Sequence, residues 1–311
     1  MGLMRTAFLA GSRSVWLRKR AMRYAFVRRS VSRFMPGEGL EDALEATRQL
    51  QEKGASAVLT QLGENVADAD EAEAVRRHYL DVLDQAAARG LDAQISVKPT
   101  QLGLDLDAKL CLAHLTSLLE RAERNGSFVW IDMESSTYVD ATLALYRQAR
   151  AGSKRVGVCL QAYLRRTPAD LESLLPLRPA LRLVKGAYQE PPERAFPRKA
   201  DVDAAYFALA TRALGASGAD AAAEILAIGT HDARLVQRLR ATIAERRLPR
   251  SAYEFEMLYG IQRALQSQLV ADGLPLRVLI SYGAYWFPWY MRRLAERPAN
   301  VWFVARNLFS R

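Results

Sequence analysis

Short apolar runs recur eight times along the chain, and each ends in a cluster of polar, charged or glycine residues. Most of the intervals between them are long enough for one helix. Strands that alternate with helical patterns are typical of βαβ units and a parallel sheet. Eight such units predict an α/β fold of the (β/α)₈ TIM-type barrel class. The runs are residues 57–59, 95–97, 128–131, 156–160, 183–184, 225–228, 255 and 278–280.

Helical patterns occupy most of the intervals. An amphipathic stretch that begins at Leu40 and ends before Gly54 precedes the first run. Asp201 is the predicted N-cap of the helix after the fifth run, because an aspartate side chain accepts a hydrogen bond from a free amide at a helix start. The predicted helices are residues 40–52, 68–89, 106–124, 136–151, 168–175, 201–214, 232–246 and 288–297.

The polar clusters predict where the chemistry lies. In barrels of this class the active site is at the carboxyl ends of the strands, which is where the clusters fall. One barrel takes roughly 250 residues, so a chain of 311 residues accommodates one barrel and a short extension. We therefore predict an N-terminal helical segment over residues 1–39 and a barrel domain over residues 40–311.

Composition narrows the class of protein. Half of the residues are hydrophobic, and the two cysteines, Cys111 and Cys159, are too few for a disulfide framework. No stretch reaches the roughly 18–20 apolar residues that span a bilayer, and no signal-peptide pattern is present. These features predict a reduced, cytoplasmic protein with a large core.

The formal charge of +10 is concentrated at one end of the chain. Residues 1–34 contain nine basic and no acidic residues, whereas the remaining 277 residues contain 35 basic and 34 acidic ones. Arginines interleaved with Trp16 and Phe26 are typical of a basic amphipathic helix. Such a helix can lie peripherally on an anionic membrane surface, in this case at the inner membrane face. The alternative is a helix that packs on the barrel and exposes its basic face to solvent. Nucleic-acid binding is disfavoured because no recognition motif accompanies the charge.

Common cofactor and catalytic motifs are absent from the sequence. It contains no GxGxxG, Walker A, HExxH, CxxC or GxSxG pattern. His78, His114 and His231 are far apart in the sequence, so no metal site is predicted. A nucleotide cofactor would have to bind through strand ends and backbone amides rather than a Rossmann fingerprint.

The densest functional pattern is residues 282–296, an aromatic loop followed by the last predicted helix. Arg292 and Arg293 are adjacent, and Glu296 follows them at a spacing that allows it to orient a guanidinium group. Two guanidinium groups can clamp a carboxylate through paired donors, which indicates a small anionic substrate. The alternative is a solvated helix face with no role in binding.

One motif follows each strand end, in order, from about Pro36 to the C-terminus. The motifs are GENV at 63–66, ISVK at 95–98, TQLG at 100–103, IDME at 131–134, LQAY at 160–163, RLVKGAY at 182–188, THD at 230–232, EF at 254–255, LYG at 258–260 and RRLAE at 292–296. In this series the chain resembles the bacterial monofunctional proline dehydrogenases.

The resemblance implies a distorted barrel that binds FAD non-covalently. The enzyme would oxidise L-proline to Δ1-pyrroline-5-carboxylate in proline catabolism, and it would pass the electrons to a membrane quinone. A small imino acid and a quinone are thus the implied partners, with no nucleic acid.

The resemblance also implies roles for individual residues. Arg182, Lys98 and Asp132 would be catalytic, with Arg182 near the flavin N5 atom and Asp132 near the substrate ammonium group. The substrate would contact Arg292, Arg293, Lys98, Tyr188, Leu258 and Leu279. The cofactor would contact Gln161, Arg182, Val184, Lys185, Gly186, Thr230, His231, Glu256 and Glu296.

Simpler roles are open for three of these residues. Asp132 could merely pair with Lys98 or Arg182 at the barrel mouth. His231 could be a core histidine with satisfied hydrogen bonds. Gly186 could be required only for the turn after its strand.

The chain departs from the family pattern at four positions. In place of the tyrosine and proline of an R-x-Y-x-P-x-G pattern it has Leu279 and Ser281, which predicts a roomier pocket. Glu256 replaces a glutamine near the flavin, and Pro99 restricts the backbone of Lys98. Two alternatives follow: the same scaffold acting on hydroxyproline or another cyclic imino acid, or a catalytically impaired, membrane-associated binding protein.

Overall fold

Eight parallel strands close into a barrel in the order β1 to β8, which confirms the predicted architecture. The structure is a computed structural model and describes residues 33–216 and 225–287. Each strand pairs with its neighbour in sequence, and β8 closes the barrel against β1. The strands are β1 Ser56–Gln61, β2 Ala93–Val97, β3 Val129–Ile131, β4 Val156–Gln161, β5 Ala180–Val184, β6 Leu226–Gly229, β7 Tyr253–Leu258 and β8 Leu276–Tyr282.

One helix precedes the barrel, and a helix follows each strand from β1 to β7. Apolar residues on one face of the amphipathic helices pack inwards, as in α1, where Ala43, Leu44 and Ala46 are buried. The helices are α1 Leu40–Gln51, α2 Ala69–Ala88, α3 Ala108–Arg124, α4 Val139–Gly152, α5 Thr167–Leu174, α6 Lys199–Ala216, α7 Ala233–Glu245 and α8 Arg263–Ala271.

The structure corrects two details of the predicted elements. Helix α8 was not among the predicted helices. Helix α6 begins at Lys199, so the prediction that Asp201 is its N-cap is wrong; Asp201 lies in the first turn and accepts hydrogen bonds from the Arg198 guanidinium. Strand β7 extends to Leu258, beyond the predicted apolar position 255, and contains Glu256.

Two predicted segments lie outside the described residues, namely the helix at 288–297 and the basic segment up to residue 32. The chain immediately after that segment packs on the barrel. Phe34 and Met35 are buried, and a Cβ atom at Gly260 would stand 1.6 Å from the carbonyl oxygen of Arg33. Among the described helices, none combines the length and the apolar character needed to cross a membrane.

The barrel interior is built around one large side chain. Trp130 is fully buried and packs with Val58, Ala180 and Ala227. The adjacent strand supplies Gly157, where a Cβ atom would lie 2.4 Å from the Trp130 ring. Small residues on the neighbouring strands therefore make room for the indole, and the indole separates the two ends of the barrel interior.

Each end of the interior contains charged side chains. At the amino-terminal end, Arg277 donates to both carboxylate oxygens of Glu254 and to Asp92, 3.1 Å away. A buried guanidinium needs such partners because an unpaired buried charge is costly. Side chains two residues further along a strand point the same way, so Glu256 on β7 and Leu279 on β8 reach the other end of the interior.

Candidate active site

A cavity of about 870 Å³ opens at the carboxyl ends of the strands. Every strand, or the loop directly after it, contributes a side chain to its wall. In strand order these include Thr60, Lys98, Asp132, Gln161, Arg182, Thr230, Glu256 and Leu279. The cavity lies where barrels of this class carry their chemistry.

Every predicted site residue within the described part of the chain lines this cavity. They come from strands and loops distant in sequence and meet because the barrel closes. They are Lys98, Asp132, Gln161, Arg182, Val184, Lys185, Gly186, Tyr188, Thr230, His231, Glu256, Leu258 and Leu279. Arg292, Arg293 and Glu296 lie outside the described residues, so the predicted carboxylate clamp stays a prediction.

Arg182 lies at the centre of a buried charged cluster in the cavity wall. Its Nη1 atom donates to Ser96 Oγ at 2.7 Å and to Asp132 Oδ1 at 3.1 Å. On the other side, Nη2 and Nε lie 3.1 Å and 2.5 Å from the two carboxylate oxygens of Glu256. Nη2 donates a hydrogen bond to Glu256, whereas Nε is in ion-pair contact with it and makes no hydrogen bond with the described residues. The arginine is only 2% exposed, and its contacts on both sides fix its position.

Two further contacts hold this cluster in place. The guanidinium of Arg182 lies over the Trp130 ring, 4.6 Å from its centre, a cation–π contact that is strengthened by burial. The Ser96 hydroxyl donates to Asp132 Oδ1 at 2.6 Å. Asp132 therefore pairs with Arg182, one of the two partners open to it from the sequence, and its side chain is 22% exposed towards the cavity.

Glu256 is the more deeply buried carboxyl group of the cluster, with 4% of its surface exposed. Burial raises the pKa of Glu256 to about 7, because a charged carboxylate is poorly solvated there. The Arg182 guanidinium opposes this rise, and the negative charge of Glu254 adds to it. The carboxyl group is therefore harder to ionise than an ordinary glutamate.

Lys98 is presented by the turn that follows β2. Its backbone is extended, with φ −96° and ψ 133°, as expected for the residue before a proline. Pro99 begins a short 3₁₀ helix whose Thr100 donates its amide and its hydroxyl to the buried Glu134 carboxylate, at 3.1 Å and 2.7 Å. Burial raises the pKa of Glu134. Lys98 itself has no ion pair with the described residues, so its ammonium group is available to a ligand.

Gln161 and His231 line another part of the cavity wall, at the ends of β4 and β6. The Gln161 side-chain amide donates to the carbonyl oxygen of Met133 at 3.2 Å, whereas its Oε1 atom is buried and has no hydrogen-bond partner among the described residues. His231 Nε2 accepts a hydrogen bond from the backbone amide of Leu258 at 2.8 Å. The proton of a neutral His231 ring is therefore on Nδ1.

Lys185 is paired at the rim of the cavity. Its ammonium group contacts Asp203 on α6 and donates to Asp232 at 2.8 Å, and Lys199 contacts the same two carboxylates. Burial alone would raise the pKa of Asp232, but the hydrogen bonds from the two lysines hold it below its ordinary value. Asp232 also caps α7 by accepting from the Arg234 amide.

The remaining predicted substrate residues lie in the less polar part of the wall. The hydroxyl of Tyr188 donates to Glu64 Oε1 at 3.3 Å, across the cavity mouth. Leu258 and Leu279 are register partners on β7 and β8, and both are half-buried. Ser281 is 3% exposed and lines the same wall.

Ser96, Trp130 and Cys159 are neighbours of the candidate site residues that the sequence did not single out. Each lies two residues before a predicted site residue that ends its strand or directly follows it, namely Lys98, Asp132 and Gln161, and so faces the same side. The alternation of side chains along a strand would therefore have predicted that these three residues lie beside the site. Burial raises the pKa of Cys159 to about 12, which keeps this thiol protonated.

Three comparisons relate this chain to known proteins. The family model described as proline dehydrogenase matches residues 43–306. Proline dehydrogenase 1 of Bacillus subtilis subsp. natto is 37% identical over 309 residues, which cover 99% of this chain and 100% of that protein. The proline dehydrogenase of Deinococcus radiodurans is 35% identical over 281 residues, 89% of each chain.

Solved structures show the same fold. The crystal structure of proline utilization A from Bdellovibrio bacteriovorus matches with a TM-score of 0.79 at 23% identity. The match covers 87% of this chain and 33% of that one, so the chain spans about a third of that protein's length.

Proposed function

Because the chain belongs to the proline dehydrogenase family, we propose that it oxidises L-proline to Δ1-pyrroline-5-carboxylate with FAD as cofactor and a quinone as electron acceptor. The observation that carries this proposal is the single cavity that all the described candidate residues line. Its volume of about 870 Å³ is far larger than a five-membered imino acid needs. A large planar cofactor beside the substrate accounts for the difference.

The cavity wall fits a flavin on chemical grounds. The buried Oε1 atom of Gln161 has no partner among the described residues, and a buried polar atom of this kind is costly unless a ligand or water satisfies it. The Oε1 atom of Gln161 would accept a hydrogen bond from the polar edge of the isoalloxazine. The other residues that would hold FAD are Val184, Lys185, Gly186, Thr230 and His231. When bound, FAD supplies the acceptor for two electrons.

Arg182 would act as the fixed cation beside the redox centre. A positive charge near the flavin stabilises negative charge that develops on reduction. The two carboxylates and the Trp130 ring fix the guanidinium before the substrate arrives. No reorganisation of this group is then needed during the reaction.

Lys98 and Asp132 would orient the substrate. The ammonium group of Lys98, which makes no ion pair with the described residues, would attract the carboxylate of proline, together with the arginine clamp predicted from Arg292 and Arg293. The partly exposed Asp132 carboxylate would face the substrate nitrogen and balance its charge. Opposite charges at the two ends of a small zwitterion fix its direction, which holds its C5 carbon towards the cofactor. Tyr188, Leu258 and Leu279 would form the wall around the ring.

Product trapping tests this proposal. We expect the purified protein, supplied with FAD and a short-chain quinone, to convert L-proline into a product that reacts with o-aminobenzaldehyde, as the cyclic imine Δ1-pyrroline-5-carboxylate does. Quinone reduction should match imine formation one to one, since each step transfers two electrons. Absence of the imine adduct with FAD bound would overturn the proposed reaction.

A second candidate substrate is a larger or hydroxylated cyclic imino acid. The observation that favours it is the wall formed by Leu279 and Ser281, where a leucine side chain and a hydroxyl group face the cavity instead of an aromatic ring. Kinetics with trans-4-hydroxy-L-proline and L-pipecolate would distinguish the two. A clear preference for L-proline would rule out the second candidate, whereas a protein that takes up no FAD would favour a binding protein.

The proposed quinone acceptor would require this protein to make contact with a membrane. A quinone acceptor resides in the bilayer, and the basic residues of segment 1–34 would attract anionic lipid. Flotation with anionic liposomes, with and without residues 1–34, tests this part. Equal flotation of both forms would show that the segment makes no contribution.

A further inference from the structure

Glu256 and Arg182 form a paired, two-point contact in the cavity wall. Nε and Nη2 of the arginine lie 2.5 Å and 3.1 Å from Oε2 and Oε1 of the carboxyl group. Both side chains are almost fully buried, at 2% and 4% exposure. Asp132 occupies the opposite side of the same guanidinium. One cation thus lies between two carboxyl groups.

The net charge of this cluster depends on Glu256. With both carboxyl groups ionised the cluster carries one negative charge, and with Glu256 protonated it is neutral. Strand β6 contributes only Gly229 in register with Glu256, so no charge from that strand compensates it. The titratable groups that face Glu256 from the surrounding elements are Arg182 on β5, Asp132 after β3, Cys159 on β4, Tyr206 on α6, Glu254 on β7 and Arg277 on β8.

We infer that Glu256 is a positioning residue that both fixes Arg182 and sets the net charge beside the redox centre, so that its protonation state controls the reduction potential of the bound flavin. This inference rests on the proposed function, because it requires FAD in the cavity. It assigns to Glu256 a role beyond contact with the cofactor.

The direction of the effect follows from electrostatics. Reduction adds two electrons to the flavin, and an ionised Glu256 nearby makes that addition less favourable. Protonation removes the repulsion and leaves the cation balanced by Asp132 alone. Burial opposes the charge of Glu256 and raises its pKa, so we expect this group to exchange its proton closer to neutral pH than an ordinary glutamate does. The potential should therefore rise as the pH falls, by more than the flavin alone would cause.

Equilibrium redox titration of the holoenzyme against reference dyes tests the inference. The variants are Glu256→Gln, which removes the charge but keeps the side-chain size, and Glu256→Asp, which keeps the charge. At about pH 9, where an acid of this pKa is ionised, we expect E256Q to favour reduced flavin at least tenfold more than wild type. For two electrons this is a potential about 30 mV higher. At about pH 5.5, where Glu256 is protonated, wild type and E256Q should have the same reduction potential.

Glu254→Gln is the matched control. It makes the same change on the same strand, two residues earlier, where the carboxylate pairs with Arg277 at the other end of the barrel. Both E254Q and E256D should keep the extra pH dependence of the wild-type potential, displaced to lower pH in E254Q because the charge of Glu254 raises the pKa of Glu256. Wild type should also take up more protons than E256Q when its flavin is reduced near neutral pH. The reduction potential of wild type should therefore depend more steeply on pH.

Each outcome separates this inference from the proposed function. Bound flavin with equal potentials in wild type and E256Q at all pH values would overturn the inference and leave the proposed function intact. If E256Q does not fold, a wild-type potential whose slope against pH is no steeper than that of free FAD would overturn the inference equally. A protein that binds no FAD would overturn both.

Discussion

The aromatic ring of Tyr163 fills the space beside the α-carbon of Gly186, so that a Cβ atom at position 186 would stand 2.2 Å from the nearest ring carbon. Gly186 also has a φ of +112°, a conformation that side chains disfavour. The contact joins the loops after β4 and β5, which are further tied by the hydrogen bond from the Tyr163 amide to the Lys185 carbonyl, 2.9 Å long. The glycine is therefore needed for the shape of the cavity wall as well as for a turn.

Gly186→Ala should lower the free energy of unfolding by about 2–4 kcal/mol, because the methyl group overpacks the ring and strains the backbone. Equilibrium urea denaturation measures this. Gly152→Ala is the matched control, since nothing lies within 4 Å of its would-be Cβ atom. Its stability should change by less than about 0.5 kcal/mol. Equal stability of the two variants would contradict the proposed packing.

Asp132→Asn should reduce kcat/KM for L-proline about 100-fold, because it removes one partner of a partly buried charge pair. Ser96→Ala removes only the hydroxyl that bridges Asp132 and Arg182, so a loss of about tenfold is expected. Steady-state kinetics of the flavin-loaded variants measures both.

The control for this pair is Asp140→Asn. Asp140 also pairs with an arginine, Arg166, but at an exposed site away from the cavity. Its kcat/KM should stay at the wild-type value. If D132N were as active as D140N, Asp132 would be only a structural partner of Arg182.

His231→Ala should weaken FAD binding about tenfold, because it leaves the Leu258 amide without its acceptor and loosens the wall between β6 and β7. Fluorescence titration of the apoprotein with FAD measures the dissociation constant. His78→Ala is a suitable comparison, since His78 bonds to the Tyr282 hydroxyl at 2.8 Å outside the cavity wall. Unchanged FAD affinity in H231A would place His231 among ordinary core histidines.

Leu279→Tyr should raise the ratio of kcat/KM for L-proline over L-pipecolate at least tenfold, since a ring in place of leucine narrows the pocket around the substrate. Leu279→Met keeps the volume of the side chain without a ring, and should leave the ratio near that of wild type. A ratio in L279Y equal to that of L279M would show that this position does not select the substrate.

The barrel could be predicted from the sequence because its strands are buried on both faces. Such strands appear as continuous apolar runs, as at 156–160 and 278–280, and the helices between them carry a clear apolar stripe. Helix α8 was missed because it is short and has no sequence signal at its start. It follows Gln262, which has a φ of +53° and makes no side-chain cap.

The charged cluster could be predicted only in part. The sequence identified Arg182, Asp132 and Glu256 as separate site residues, and it left the pairing of Asp132 with Arg182 open. The pairing of Arg182 with Glu256 joins residues 74 positions apart and depends on the register of β5, β6 and β7. Periodicity within one strand carries no information about register between strands, so this contact required the structure.

The most direct test of the central claim is the anaerobic reduction of the purified, FAD-loaded protein by its substrate. We expect a yellow protein whose flavin absorbance is bleached by L-proline, with one equivalent of Δ1-pyrroline-5-carboxylate formed per flavin. A protein that takes up no FAD, or whose flavin stays oxidised in the presence of L-proline, trans-4-hydroxy-L-proline and L-pipecolate, would contradict the account.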